Sequence, residues 1–466
     1  MNVGTDRLLS GWGRTSPSRG SVVAVHDVAE ITEALRSPAA RGVLPRGLGR
    51  SYGDVAQNAG GVVLDMSGLS GIEALDSPPG TITALAGTSL AAILERIVGA
   101  GWFLPVTPGT RFVTLGGAIA NDVHGKNHHR EGSIGDHLVS FELLAPGGEV
   151  RTITAAGDPE IFSATLGGLG MTGIILRATL RLIPIQTSRV RVDTDRAADL
   201  DDVMARMDAG DDSYRYSVAW IDALARGSRL GRAVLTRGDH AVLDDLDAKA
   251  SRDPLGYAPR VLPPVPPGLP GFITPFTANA FNAAWFRKAP RSERGRIQSL
   301  APFFHPLDAI GGWNRLYGRR GFVQYQFVVP FGEESVISEV LATLSAARCA
   351  SFLAVLKRFG PGHTMLSFPS PGWTLALDLP AAQRGLRPVL NGFDRLVAEA
   401  GGRVYLAKDA RLDPALIPTM YPDLDRWREV RERLDPQHVL RSDLARRLEL
   451  DMVPSHATVL LEGMET

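Results

Sequence analysis

Two glycine-rich stretches constrain this fold more than anything else in the chain. The first is Pro45-Arg46-Gly47-Leu48-Gly49-Arg50-Ser51-Tyr52-Gly53-Asp54, and the second runs from Pro108-Gly109-Thr110 to His129. Glycine has no Cβ to hold a phosphate away and reaches dihedrals closed to other residues, so successive N–H groups can turn toward one anion. Residues 42–44 read as a buried strand entering the first loop and 61–66 as a strand leaving it. Strand, glycine loop, strand differs from the dinucleotide fingerprint in which the glycines open a helix. Asp54 and Asn58 are placed to brace this loop from behind. In the second stretch Gly116 and Gly117 again permit close approach, and Thr110 and Thr114 offer hydroxyl donors. Two such loops joined by a short β/α stretch fit one extended dinucleotide, which points to bound flavin.

The β/α stretch is legible. Residues 81–86 alternate as a strand. Thr88 or Ser89 caps a helix whose Leu90, Ile93, Leu94, Ile97 and Val98 share a face until Gly99 and Gly101 stop it. Residues 138–144 and 149–154 flank Pro146-Gly147-Gly148 as a hairpin. A strand over 174–183 follows Gly167-Gly168-Leu169-Gly170-Met171-Thr172-Gly173, which is either a third main-chain contact with the cofactor or a tight turn. Beyond Pro184 longer alternating strands (214–221, 233–237, 322–329, 351–356 and 373–379) interleave with helical stretches, as in a separate antiparallel sheet domain. The proline-dense segment 254–275 precludes regular structure. It reads as a lid over a lipid chain or as an irregular surface loop.

Composition sets outer limits. With 466 residues, 44% of them hydrophobic, the chain can fill two or three cores, and its formal net charge of zero gives no general attraction to nucleic acid. The lone cysteine, Cys349, rules out an internal disulfide framework and reads as a small buried apolar residue. No run of eighteen apolar residues occurs and residues 1–22 are polar, so neither a spanning helix nor a secretory signal is visible. The expectation is a cytoplasmic protein, with a periplasmic one as the alternative, brought to a membrane surface by any lipid substrate.

The chain resembles the vanillyl-alcohol oxidase type of FAD-binding flavoprotein and, within it, the decaprenylphosphoryl-ribose oxidase family. Besides the two glycine stretches, the resemblance rests on Gly11-Trp12-Gly13-Arg14-Thr15, Phe304-His305-Pro306-Leu307-Asp308, Trp313-Asn314-Arg315, Gln324-Tyr325-Gln326-Phe327, Ser367-Phe368-Pro369, Pro371-Gly372-Trp373, Ala407-Lys408-Asp409 and the run from Ser442 to Leu448. It implies an α+β fold: a PCMH-type FAD-binding domain formed by 1–185 and a return segment 403–466, with an antiparallel substrate domain inserted at 186–402. The resemblance places around FAD the residues Arg46, Gly47, Leu48, Gly49, Arg50, Ser51, Tyr52, Gly53, Asn58, Gly109, Thr110, Thr114, Leu115, Gly116, Gly117, Asn121, His124, Gly125, Ile174 and Tyr405. It lines the substrate pocket with Tyr52, His124, Lys126, Phe304, Gln324, Gln326, Lys357, Thr374, Ala376 and Lys408. Related oxidases often hold their flavin covalently on a histidine at the position of Arg50, which implies dissociable FAD here.

Lys408 is the candidate catalytic residue, following a strand in Tyr405-Leu406-Ala407-Lys408-Asp409. It acts as a fixed charge beside the flavin or, if burial lowers its pKa, as the base for a substrate hydroxyl; a salt bridge to Asp409 is the structural alternative. His124, Lys126, His128 and His129 do not read as a metal site, because Gly125 disfavours the helix that would align two rings. His128 and His129 read as packing residues. Gln324 and Gln326 share one strand face and suit a ribose with several hydroxyls, or else face solvent. Lys357, at a strand end, holds a phosphate together with Arg358 or is surface-exposed.

Three departures from the family pattern concern the pocket: Thr374-Leu375-Ala376 replaces Asn-Ile-Cys, Asn121 stands for a frequent cysteine, and Phe304 for a tyrosine. The implied reaction oxidises the 2′-hydroxyl of a polyprenylphosphoryl-β-D-ribose. A short-chain dehydrogenase partner would complete epimerisation, and a quinone or dioxygen would reoxidise the flavin. An alditol or aldonolactone oxidase and a non-catalytic flavin or lipid-sugar binder are the alternatives.

Overall fold

The computed structural model describes residues 4–452, Ser37 and Leu269 apart. A four-stranded sheet opens the chain in the order Thr5–Leu9, Ser18–Ala24, Val62–Asp65, Val43–Arg46. Val43–Arg46 and Val62–Asp65 run parallel, with Val43 opposite Val62 and Arg46 opposite Asp65. The first glycine loop therefore leaves and rejoins one sheet edge. The helix Val28–Arg36 covers this sheet through Ile31 and Leu35.

A second sheet is antiparallel throughout, ordered Ile72–Asp76, Thr81–Leu85, Ile174–Arg181, Leu138–Leu144, Val150–Ile153. Its inward face packs against the helix Leu90–Ile97, whose buried Leu90, Ile93, Leu94 and Ile97 form one stripe. Each such fully buried side chain contributes roughly 1.5–3 kcal/mol. Ser89 is the cap, accepting from the Ala92 amide at 3.1 Å, while the Thr88 hydroxyl bonds the Gly71 main chain. Gly101 ends the unit at φ +82°, whereas Gly99 lies inside a 3₁₀ turn.

The third sheet has eight antiparallel strands: Ser292–Ser299, Arg189–Ala197, Ala233–His240, Tyr216–Ile221, Ala354–Phe359, Gly372–Pro380, Phe322–Pro330 and Arg403–Val404. Helices Leu200–Gly210, Glu334–Ala346 and Leu386–Glu399 cover one face, burying Tyr325, Phe327, Leu356, Leu375 and Leu377 with their own apolar stripes. Strand alternation then turns Gln324, Gln326, Val355, Lys357, Ala376 and Asp378 to the other face, toward the glycine loops. Polar and charged residues on that face follow from what it encloses.

Several sequence expectations shift. The strand expected over 351–356 is Ala354–Phe359, so Lys357 lies within it. A 3₁₀ turn at Asp211–Ser213 delays the next strand to Tyr216, and the strand from Ile174 breaks after Arg181, with Ile183–Pro184 pairing Trp102–Phe103. Residues 254–274 form no helix or strand among the described residues beyond one bridge from Leu262 to Ile310, and helix Pro275–Lys288 follows.

Arg403–Val404 still belongs to the eight-stranded sheet. The return to the first body begins just after it, where the Ala407 carbonyl accepts from the Tyr52 amide at 3.1 Å, and is completed where Leu440 bridges Val43 and Asp443 takes hydrogen bonds from the Ala59 amide (2.9 Å) and the Ser18 hydroxyl (2.6 Å).

Candidate active site

One cleft of about 660 Å³ runs between the glycine loops and the free face of the eight-stranded sheet. Gly47, Leu48, Gly49, Arg50, Ser51 and Tyr52 line it from the first loop. The two loops touch: a Cβ on Gly47 would stand 2.2 Å from Thr114 Oγ1, and Gly49 is left-handed at φ +62°. The Arg50 guanidinium stacks over Trp12, 4.0 Å from the ring centroid. Trp12 is held by its own amide donating to the Ser51 carbonyl at 2.7 Å.

Other members of this segment stand behind the wall. Arg46 donates to the carbonyls of Ala56 and Ser10, away from the cleft. Asn58 donates to the Gly42 carbonyl at 3.0 Å, tying the two parallel strands together. Gly53 abuts Asp409, whose carbonyl oxygen would lie 1.7 Å from an added Cβ. Asp54 accepts a bidentate pair from Arg447 (2.9 and 2.8 Å), and Arg447 also reaches Asp409 Oδ2 at 2.8 Å. Asp409 is thus engaged by Arg447, and the Lys408–Asp409 bridge that stood as the alternative reading of Lys408 does not form.

The second loop contributes Gly109, Thr110, Thr114, Gly116, Gly117, Asn121, His124, Gly125 and Lys126 to the lining. Its geometry is set by Asp308, which accepts from Thr110 Oγ1 (2.6 Å) and the Arg111 amide (2.8 Å) and pairs with the Arg111 guanidinium. Thr114 caps the short helix Leu115–Ala120, accepting from the Gly117 amide at 3.2 Å. Leu115 itself is buried in the core beneath. The third glycine run supplies Leu169, Gly170, Gly173 and Ile174 to the lining, and Tyr405 closes the wall, its hydroxyl donating to the Asn121 carbonyl at 2.7 Å.

At the sheet end, Lys126, Lys357 and Lys408 line one space. Lys126 donates to the Phe303 carbonyl, and Lys357 to the Gly125 carbonyl at 3.5 Å. Lys408 Nζ lies 5.5 Å from the Tyr52 ring centroid and 5.9 Å from that of Tyr405. Among the described residues none of the three forms an ion pair. Lys357 is half-buried by surface area, but its ammonium is desolvated. Burial, then the charges of Lys408 and Lys126, pull its pKa down to about 7. Burial alone pulls Lys126 down to about 8. Burial lowers Lys408 and raises Asp378, and the two oppose these shifts in each other.

His124 shares Nε2 with the Gln326 amide at 3.1 Å, and Gln326 also donates to Thr374 Oγ1 at 3.0 Å. Burial, reinforced by Lys357 and Lys408, holds the His124 ring far below the usual imidazole range, hence neutral. Gln324 donates to Asp378, its cross-strand neighbour. Gln326 Oε1, Gln324 Oε1, His124 Nδ1 and Asn121 Oδ1 are buried without a protein partner. Phe304 and Ala376 line the cavity, whereas Thr374 is fully buried behind Gln326.

Arg358, expected beside Lys357, points to the opposite face and pairs with Asp208 at 3.1 Å, as strand alternation requires. His128 Nδ1 accepts from the Gly360 amide, and His129 bonds the carbonyls of Asp211 and Tyr214. Among the described residues no group of three or more His, Cys, Asp or Glu is placed to hold a metal ion. Sequence reasoning missed Asp378 and Arg447. Asp378 shares parity with Thr374 and Ala376 on one strand, a signal that could have found it.

Two family models match the sequence: an FAD binding domain over residues 20–154, and D-arabinono-1,4-lactone oxidase over 384–448. A decaprenylphosphoryl-beta-D-ribose oxidase from Mycolicibacterium smegmatis is 45% identical over 455 residues, covering 96% of this chain and 98% of that protein. An uncharacterized protein from Streptomyces coelicolor is 43% identical over 78% of this chain and 100% of its own length. An L-gulono-1,4-lactone dehydrogenase from Mycobacterium tuberculosis is 23% identical over 95% of this chain and 99% of its own length.

Proposed function

We propose that this chain, which belongs to the decaprenylphosphoryl-β-D-ribose oxidase family of FAD-dependent oxidoreductases, oxidises the 2′-hydroxyl of a polyprenylphosphoryl-β-D-ribose to the 2′-keto sugar. The observation that carries the substrate assignment is the set of three lysines around one cavity that also holds Gln324 and Gln326, none of them in a contact ion pair among the described residues and Lys408 alone within the field of a carboxylate, Asp378. A cavity for a neutral sugar has no use for three desolvated ammonium groups; a phosphodiester does.

The residues present fit FAD. Glycines close the loops to each other where a side chain would collide, and two residues of the same lining hold unpartnered polar atoms: the Asn121 amide oxygen, an acceptor, and His124 Nδ1, which carries the ring proton because Nε2 accepts from Gln326. We assign the diphosphate to the main chain of residues 47–52 and 109–117, and the ring system to the space beside Ile174, Tyr405 and Lys408. When bound, FAD supplies the acceptor for the hydride leaving C2′. With Arg50 stacked on Trp12 and no histidine at its position, the flavin is dissociable.

The chain's own groups handle orientation and the hydroxyl proton. Lys126 and Lys357 bind the phosphate, and the Gln324 and Gln326 amides hold ribose hydroxyls through their unpartnered oxygens. Lys408 meets the reacting hydroxyl. Burial brings its neutral form within reach near neutrality, so it orients the hydroxyl as ammonium or takes its proton as amine. The chain offers no glycine fingerprint opening a helix for a nicotinamide cofactor, so a separate short-chain dehydrogenase completes the epimerisation, and a quinone or dioxygen takes the electrons. No helix among the described residues is long and apolar enough to cross a membrane.

Anaerobic mixing with a prenylphosphoryl ribose should bleach the flavin, and xylitol and galactonolactone should not. The match to D-arabinono-1,4-lactone oxidase over 384–448 favours the aldonolactone alternative, and bleaching by the lactone alone would establish it. Lys408→Ala retaining the wild-type reduction rate would remove the catalytic assignment.

A further inference from the structure

The helix Pro275–Lys288 buries only Ala278 and Asn282 against the protein. Asn282 pins it by donating to Asp222 Oδ1 (2.8 Å) and to the Ser351 carbonyl. Three of its four large aromatics are exposed: Phe276 is 82% exposed and Trp285 44%, with Phe281 stacked on Trp285 at 6.0 Å, while Phe286 is half-buried beneath the guanidinium groups of Arg196 and Arg232. Phe272, Val261 and Leu262 on the preceding segment are exposed as well. Isolated exposed apolar residues are ordinary, but here Phe281 and Trp285 form a pair one turn apart while Phe276 stands on the other side of the same helix, so the helix presents aromatic rings around its exposed circumference, and that marks a surface that meets something.

Charge identifies what it meets. Between residues 254 and 298 the only acid is Glu293, in a chain whose formal net charge is zero. Arg260, Arg287, Lys288 and Arg291 are exposed, and among the described residues none of them forms an ion pair. Aromatic side chains flanked by unpaired lysine and arginine match the interface of an anionic bilayer, where the rings sit at headgroup depth. A second copy of this chain would oppose positive to positive. The surface is also continuous with the cleft: Trp285, Lys288, Ala289 and Pro290 line the mouth of the cavity that holds Lys126 and Lys357.

We propose that this helix is a membrane-interface anchor that seats the cleft mouth on an anionic lipid surface, so that a lipid-linked sugar phosphate enters without its chain leaving the bilayer. This rests on the reading of a polyprenyl substrate.

The test is co-sedimentation of the FAD-loaded full chain with vesicles of phosphatidylcholine alone or mixed with phosphatidylglycerol. The wild type should partition onto the mixed vesicles and be released by added salt. Phe276→Ser, at a side chain 82% exposed, should weaken that partition on the order of tenfold. Arg287→Glu with Arg291→Glu should abolish the preference for phosphatidylglycerol. Solution bleaching of the flavin by a short-chain prenylphosphoryl ribose should be unchanged in both variants; its failure in the wild type would sink the substrate reading and leave the vesicle result standing. The anchor is overturned if the wild type stays in the supernatant, if Phe276→Ser sediments like wild type, or if that variant dissolves a wild-type dimer in sedimentation velocity.

Discussion

Lys357 offers the sharpest test of phosphate recognition, because the window in which it titrates can be named. Its pKa in the free protein is pulled down to about 7, chiefly by burial and then by Lys408 and Lys126. The ammonium is therefore present below pH 7 and lost above it. Each further pH unit leaves about a tenth of the protonated form, a loss of ~30-fold by pH 8.5. A phosphodiester keeps one negative charge across this range, so any slope belongs to the protein. Binding should thus weaken, and KM rise, as pH increases through 7. A second limb should follow near 8, where Lys126 loses its proton. His124 is neutral throughout and adds no limb. Lys408 titrates nearby, but its proposed place is at the reacting hydroxyl, so its effect should fall on kcat. Lys357→Met should raise KM at pH 6.5 by about 10- to 100-fold, the worth of one charge-assisted hydrogen bond, and should erase the first limb. The assay is steady-state oxidation of a short-chain prenylphosphoryl ribose with a dye acceptor from pH 6 to 9. A flat KM profile in the wild type, or an unaltered first limb in Lys357→Met, would refute the reasoning.

Three further outcomes are expected. Gly47→Ala drives a Cβ to 2.2 Å from Thr114 Oγ1, dislodging the cap of helix Leu115–Ala120 at about 1–2 kcal/mol; the purified variant should carry less than half the wild-type flavin by absorbance, and full occupancy would contradict the two-loop cradle. Arg447→Gln leaves Asp54 and Asp409 facing each other without a countercharge, a loss of about 3 kcal/mol that should appear as a lower melting temperature and weaker FAD retention, whereas an unchanged melting curve would mean the clamp carries nothing. Cys349 is buried, with its thiol pushed up to about 12, so the native chain should resist thiol reagents; Ala376→Cys should react within minutes at the cavity wall, and failure to label would place position 376 out of reach.

The flavin side of the site was largely legible, since a glycine loop advertises itself: backbone approach is a local property, and Gly47, Gly49, Gly116 and Gly117 carry it wherever they fold. That Lys408 and the Gln324/Gln326 pair line the same cleft was legible too, the first through its motif and the pair through strand parity. The misplaced residues share a physical cause. Arg46 and Asn58 turn their side chains to carbonyls contributed by residues elsewhere in the chain, and a one-residue step along a strand sends Arg358 to the face opposite Lys357.

By itself the sequence determined the strand, loop, strand frame, the antiparallel character of the larger sheet and the glycine-rich loops that line the cleft, because each follows from periodicity and backbone sterics over short spans. Only tertiary structure decided that Lys126, Lys357 and Lys408 share one cavity, that Asp378 lies in reach of the Lys408 charge, and that Arg447 ties Asp54 to Asp409. Such pairings join positions from tens to hundreds of residues apart, and desolvation, which pulls the lysine pKa values down, exists only once the chain has closed around them.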